Sequence, residues 1–171
     1  MTHTIDAQQW SKIVWRPKYI VPYPKSLKGN EMMRTASCHC GQLSLSVEGE
    51  PALVSACNCT RCQRRSGSAF ALTSRWNKDQ VKSRSGNSVT YTRKGESGGN
   101  VECTFCPLCG STVSTALELL PDLVGIPVGC FADPTFPEPK VAAWCDTKLE
   151  WVQFPSGSLL LRDQRRPMET Q

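Results

Sequence analysis

The 171-residue sequence predicts a mainly β protein built from short strands. Three observations lead there. Twelve glycines and twelve prolines favour short elements joined by many turns. Residues 42–48, QLSLSVE, alternate Leu43, Leu45 and Val47 with polar residues, the period of a strand with one buried face. The one stretch of helical character, TALELLPD at 115–122, amounts to at most two turns.

Residues 1–35 differ from the rest: Trp10 and Trp15 lie among Pro17, Pro22 and Pro24 with no sustained period, so this segment is read as an arm that docks through its aromatics. Short strand-like runs follow residues 42–48 at 68–73, 89–93, 101–105 and 112–115. Residues 124–131, VGIPVGCF, are uniformly apolar, and Pro127 argues for an edge or a bulge there. Beyond Pro155 the text offers one short strand and then turns polar. The expected organisation is an arm over 1–35, a zinc-binding domain over 36–155 and a tail over 156–171.

The formal charge is +5, but Arg64-Arg65 and Arg165-Arg166 are the only adjacent arginine pairs and no continuous basic stripe exists, which argues against a nucleic-acid partner. The first thirty residues lack the apolar run of a signal peptide, and no stretch approaches the roughly 18 apolar residues of a membrane span. A cytoplasmic protein with no membrane partner is expected. In a reducing compartment, ten cysteines point to metal binding rather than disulfides.

Those cysteines fall in clusters: Cys38 and Cys40 as C-x-C, Cys57, Cys59 and Cys62 as C-x-C-x-x-C, and Cys103, Cys106 and Cys109. Cys130 and Cys145 stand alone. In CPLCG, a C-x-x-C hairpin turns backbone N–H groups toward the thiolates while Gly110 takes a left-handed conformation, so Cys106 and Cys109 are the better ligands of their cluster. CHCG ends likewise in Gly41. Cys38, Cys40, Cys106 and Cys109 together make a closed four-cysteine set of the kind used for structural zinc. Such a site contributes on the order of 10 kcal/mol to folding.

Cys57, Cys59 and Cys62 remain as a group of three, and three protein ligands with a vacant fourth position distinguish a catalytic zinc. Three thiolates leave such a centre with net charge minus one, a poor activator of water but a suitable host for a soft ligand, sulfur. That suits carbon–sulfur bond formation or cleavage on a substrate thiol. Arg61 and Arg64, with Arg65 nearby, are candidates to hold the carboxylates of an anionic thiol such as glutathione. Backbone N–H groups around Ser66, Gly67 and Ser68 are candidates to receive an oxyanion or a substrate carbonyl. The alternative is that the arginines screen the anionic cysteine cluster or face solvent.

His3 and His39 are the only histidines, so a histidine-ligated zinc protease or deaminase is disfavoured, and His39 reads as a spacer between ligands. Cys103, Cys130 and Cys145 read as packing, with Cys103 the rival for the vacant position. Asp133 reads as a turn former ahead of Pro134, with general acid or base as its alternative role.

The ordered motifs C-x-C-G (Cys38, Cys40, Gly41), C-x-C-x-x-C (Cys57, Cys59, Cys62), G-S-x-F (Gly67, Ser68, Phe70) and F-C-x-x-C-G (Phe105, Cys106, Cys109, Gly110) resemble the glutathione-dependent formaldehyde-activating enzyme family. Gly129, Asp133-Pro134, Pro139, Lys148 and Trp151 look like its closing segment. The resemblance spans residues 36–154. It implies an Mss4-like β-tent, structural zinc on Cys38, Cys40, Cys106 and Cys109, a second zinc on Cys57, Cys59 and Cys62, and carbon–sulfur lyase activity founded on S-hydroxymethylglutathione formation. Asn58 departs from the family's common histidine, and Ala36-Ser37 from its glycine-rich lead-in.

The resulting expectation is a zinc-dependent carbon–sulfur lyase or synthase with two zincs per chain, acting on a small thiol or thioether such as a glutathione adduct. The alternative from another class is a noncatalytic zinc-stabilised scaffold that binds a protein.

Overall fold

The computed structural model describes residues 32–164. The arm expected over 1–35 lies mostly outside them, as do the last seven residues of the expected tail. The described chain is mainly β, with a single short α-helix and several single 3-10 turns. It divides into two compact units, one formed by 32–55 and Leu72–Glu138, the other by Ala56–Ala71 and 139–164.

The larger unit holds a three-stranded antiparallel sheet of Met33–Ser37 (β1), Ser44–Glu48 (β2) and Val81–Ser85 (β5), in the order β1-β2-β5. The alternation read from residues 42–48 is what the structure uses: Leu43, Leu45 and Val47 are buried while Ser44 and Ser46 are half-exposed. Ala36 of β1 lies opposite Leu45 and is also buried. The same unit carries four antiparallel strands in the order Leu120–Pro127 (β9), Thr112–Leu117 (β8), Asn100–Phe105 (β7) and Val89–Lys94 (β6), with Ala71–Asn77 (β4) paired to β9. Leu53–Cys57 (β3) runs from this unit into the smaller one.

Trp76, Ile126, Val113, Val47 and Ala36 form the centre of its core, and Phe131 and Phe136 stack against each other beside it at 4.8 Å. Burying Trp76 requires a partner for its indole N–H, which donates to Ser74 Oγ at 2.8 Å. Ser74 in turn donates to the Ile126 carbonyl at 3.0 Å, so this buried polar chain is satisfied.

In the smaller unit, Thr60–Ser66 (α1) follows β3 and is the helix that the sequence reading missed. Val141–Ala143 (β10) pairs in parallel with Leu159–Leu160 (β11), the short strand expected in the tail. A 3-10 turn at Cys145–Thr147 follows β10. The rings of Phe70 and Phe154 meet edge to face at 5.4 Å.

Two element assignments change. Residues 115–122 are not helical: β8 and β9 meet there through a tight turn at Glu118-Leu119, with Leu117 opposite Leu120. Helix-forming Ala, Leu and Glu are overridden because both flanking strands gain ladder partners. The apolar run 124–131 is strand only to Pro127, and Val128–Phe131 is a 3-10 turn. Pro127 thus closes a strand, where its missing N–H costs least.

Candidate metal centres

The structure gathers the clustered cysteines into two groups. The Sγ atoms of Cys38, Cys40, Cys106 and Cys109 all lie within 4.8 Å of one another, and so do those of Cys57, Cys59 and Cys62. Among the described residues no further His, Cys, Asp or Glu joins either group. All ten cysteines are free thiols.

The four-cysteine group is built from two similar turns in the larger unit. After β1, Gly41 adopts φ +81° and donates its N–H to the Cys38 carbonyl at 3.0 Å, so the chain reverses between Cys38 and β2. After β7, Gly110 adopts φ +73° and donates to the Cys106 carbonyl at 2.9 Å. A side chain is rarely accommodated at such φ, which explains the glycine that follows each cysteine pair. The two turns are tied together by the His39 N–H, which donates to Ser111 Oγ at 3.2 Å. His39 is itself exposed, in keeping with a spacer.

Sulfur separations test whether a metal fits. A tetrahedron with metal–sulfur bonds of about 2.3 Å places its sulfurs about 3.8 Å apart. Cys38 and Cys40 are separated by 3.6 Å, Cys40 and Cys106 by 3.7 Å. The donor set therefore suits a metal ion. N–H groups also face the sulfurs: Leu43 N donates to Cys38 at 3.3 Å and the Gln42 amide to Cys106 at 2.8 Å.

These donors divide the acidities. Ser111, through its hydroxyl and backbone, lowers the Cys109 thiol to about 5. Burial raises Cys106, but the N–H of Cys109 and the Gln42 amide outweigh it and bring that thiol below its ordinary value. Cys40 is raised to about 11: the Gln42 N–H lowers it, but burial and the sulfurs of Cys38, Cys106 and Cys109 outweigh that. In the absence of a cation, only part of such a cluster ionises; a metal ion removes the conflict.

The three-cysteine group is formed where β3 runs into α1. Cys57 ends β3, Cys59 is the helix N-cap and Cys62 lies in the first turn, so its N–H donates to Cys59 Sγ at 3.4 Å. The neighbouring sulfurs of Cys59 and Cys62, followed by burial, hold the Cys57 thiol far above its ordinary value. The Cys59 thiol is also raised: its contact with Cys57 lowers it, but Cys62 and burial prevail. Three crowded sulfurs, with the Cys57 and Cys59 thiols resisting ionisation, are a site that a soft cation would stabilise.

Arg61 and Arg64 are exposed and three residues apart on α1, hence on one side of it, with Arg64 and Arg65 in its last turn. The donors expected for an oxyanion are engaged elsewhere. The N–H groups of Gly67 and Ser68 both point to the Gln63 carbonyl, the latter at 3.3 Å, closing the helix. Ser66 Oγ donates to the Cys62 carbonyl at 2.9 Å. An N–H satisfied by a helix cap has no second hydrogen to offer a substrate.

Other candidates take structural positions. Cys103 is buried in β7 and belongs to neither sulfur group; Cys130 donates to the Thr112 carbonyl and Cys145 to the Ala142 carbonyl, each at 3.3 Å. The Asp133 carboxylate accepts from Thr135 N at 2.8 Å and Thr135 Oγ1 at 2.7 Å, which makes it the turn former expected and holds it below its ordinary acidity range. The sequence reading missed Gln42, Gln63, Ser111 and Thr147, whose polar contacts support the cysteines; none belongs to a recognisable motif.

The chain is thus of the mainly β class with two cysteine groups that could hold metal ions. Within it, the chain belongs to the glutathione-dependent formaldehyde-activating enzyme family, whose sequence profile matches residues 33–147. No curated protein matches the chain. The crystal structure of a Rhodobacter sphaeroides protein is similar at 22% identity with a TM-score of 0.47, covering 58% of this chain and 91% of that one. No helix among the described residues is long and apolar enough to cross a membrane.

Proposed function

We propose that the protein is a zinc-dependent carbon–sulfur lyase or synthase acting on glutathione-type thiol adducts. The observation that carries this reading is a group of three sulfurs joined by no fourth ligand-type side chain among the described residues. The four-cysteine group then serves as a structural zinc site, giving two zincs per chain. Zinc on Cys57, Cys59 and Cys62 would supply an acceptor for the substrate sulfur, favouring thiolate over thiol.

The chain's own residues bind and orient. Arg61 and Arg64 present guanidinium groups on one side of the helix that carries Cys62, suited to the carboxylates of glutathione. With Gly67 and Ser68 committed to the helix end, substrate recognition falls to those arginines. In the synthetic direction the substrate sulfur bonds to the formaldehyde carbon and the thiol proton passes to the carbonyl oxygen; the reverse breaks that bond and restores thiol and aldehyde. A cytoplasmic location fits ten free thiols.

Metal analysis should find about two zincs per chain. Cys59→Ser should remain folded, keep one zinc and lose turnover of S-hydroxymethylglutathione and related adducts. Full activity in that variant would sink the assignment, and a single inert zinc in the wild type would instead favour a noncatalytic scaffold.

A further inference from the structure

The three sulfurs lie on six consecutive residues that change conformation on the way: Cys57 ends β3, Cys59 is the N-cap of α1 and Cys62 lies in its first turn. The start of the helix sets Cys59 against Cys62, and the link through Asn58 sets where Cys57 lies relative to both.

Gln63, next to Cys62, sends both hydrogens of its amide to carbonyls outside α1. Nε2 donates to the carbonyl of Asn58, between Cys57 and Cys59, at 2.7 Å, and to the carbonyl of Thr147 at 2.9 Å. Thr147 returns the contact, its hydroxyl lying 2.9 Å from the same Asn58 carbonyl. The Asn58 carbonyl oxygen is thus approached by two donors and the Gln63 amide gives two hydrogen bonds, while the Thr147 hydroxyl also lies 3.1 Å from the Trp144 carbonyl. Asn58 is fully buried, and both its backbone N–H and its Nδ2 donate to the Ala143 carbonyl at 2.9 Å. The cysteine loop is thereby fastened to β10 and the turn after it.

We propose that Gln63, acting with Asn58 and Thr147, is the positioning bracket of the three-cysteine centre, fixing the spacing of its sulfurs and so the affinity with which it holds metal. This rests on the reading of Cys57, Cys59 and Cys62 as a zinc site. Groups one shell beyond the ligands typically control metal affinity by about 10- to 100-fold. The Gln63 amide hydrogen-bonds to backbone carbonyls and not to a sulfur, so it acts through the backbone of its neighbours.

The experiment is zinc competition against a chromophoric chelator on the full chain, with the cobalt(II) absorption spectrum of the same variants. Gln63→Glu is isosteric but turns a carboxylate toward two carbonyl oxygens; Gln63→Met removes the donor without adding charge. Both should weaken one of the two centres about tenfold or more and alter its cobalt spectrum, leaving the other centre unchanged. Thr147→Val should do so more mildly, and Thr147→Ser, which keeps the hydroxyl, should match the wild type. Should Gln63→Glu fail to fold, Gln63→Met and Thr147→Val carry the test. Wild-type affinity and spectrum in all of these variants would overturn the bracket while leaving the proposed activity standing. A wild type that binds only one zinc would overturn both.

Discussion

The side-chain amide of Gln42 lies 2.8 Å from the sulfur of Cys106, and the same nitrogen donates to the Asn87 carbonyl at 2.8 Å. Asn87 N returns a bond to Gln42 Oε1 at 3.0 Å. One side chain therefore supports a buried sulfur and pins the segment after β5. Gln42→Leu should destabilise the protein by about 1–3 kcal/mol, because the Asn87 groups and the sulfur lose their partner. Chemical denaturation of the metal-loaded variant checks it; an unchanged midpoint would contradict the assigned role.

Gly86 makes that arrangement possible. Its φ is +93°, and a Cβ there would overlap the Gln42 carbonyl. Gly86→Ala should cost at least about 1–3 kcal/mol from backbone strain, with the backbone clash added. Because the clash is with Gln42 itself, zinc release from the four-cysteine group should quicken alongside the loss in melting temperature. Release at the wild-type rate would show that the two are independent.

The two sulfur groups should respond differently to the loss of one ligand. Cys106 is fully buried in the core cluster, so Cys106→Ser should abolish cooperative unfolding, and chelating the wild type should do the same, by an amount on the order of 10 kcal/mol. Cys59 is also buried, but it is the N-cap of a short helix, where a serine hydroxyl caps as well, so Cys59→Ser should keep most of its thermal stability. Circular dichroism melts of both variants decide this. Equal losses would mean that both groups are structural.

Acid dependence tests the Asp133 turn. Its native carboxyl is held below the ordinary value by Thr135, so the contribution is present in full above the unfolded value of 3.8 and is lost as pH falls through the lower native one. Asp133→Ala should therefore be less stable than the wild type at neutral pH, and the gap should shrink only below about pH 4. A gap that is constant down to acid pH would remove the carboxylate from the account.

Much of the site was legible from residue type and spacing. Thiols two and three residues apart are constrained locally, the pairs Cys38–Cys40 and Cys106–Cys109 each being followed by glycine, and the seven cysteines separated by spacing are the seven whose sulfurs cluster. The strand at 42–48 was legible for a similar reason, since burial on one face imposes a period of two. Helix α1 carried signals that were passed over: two arginines in its last turn and Gly67 at its left-handed end. The hairpin at Glu118-Leu119 was concealed by good helix formers, and only pairing with β7 and β4 made strands of them.

By itself, then, the order of residues determined the β character and the close-spaced cysteine pairs, because each depends on neighbours a few positions apart; Cys40 meets Cys106 across 66 positions, which only the fold brings about. Tertiary structure alone also decided which polar groups support those sulfurs: Gln63 meets Thr147 across 84 positions and Gln42 meets Asn87 across 45. A glutamine amide has no periodicity and no motif to announce its partner. Its hydrogens find their carbonyls only once the fold has brought distant backbone into reach.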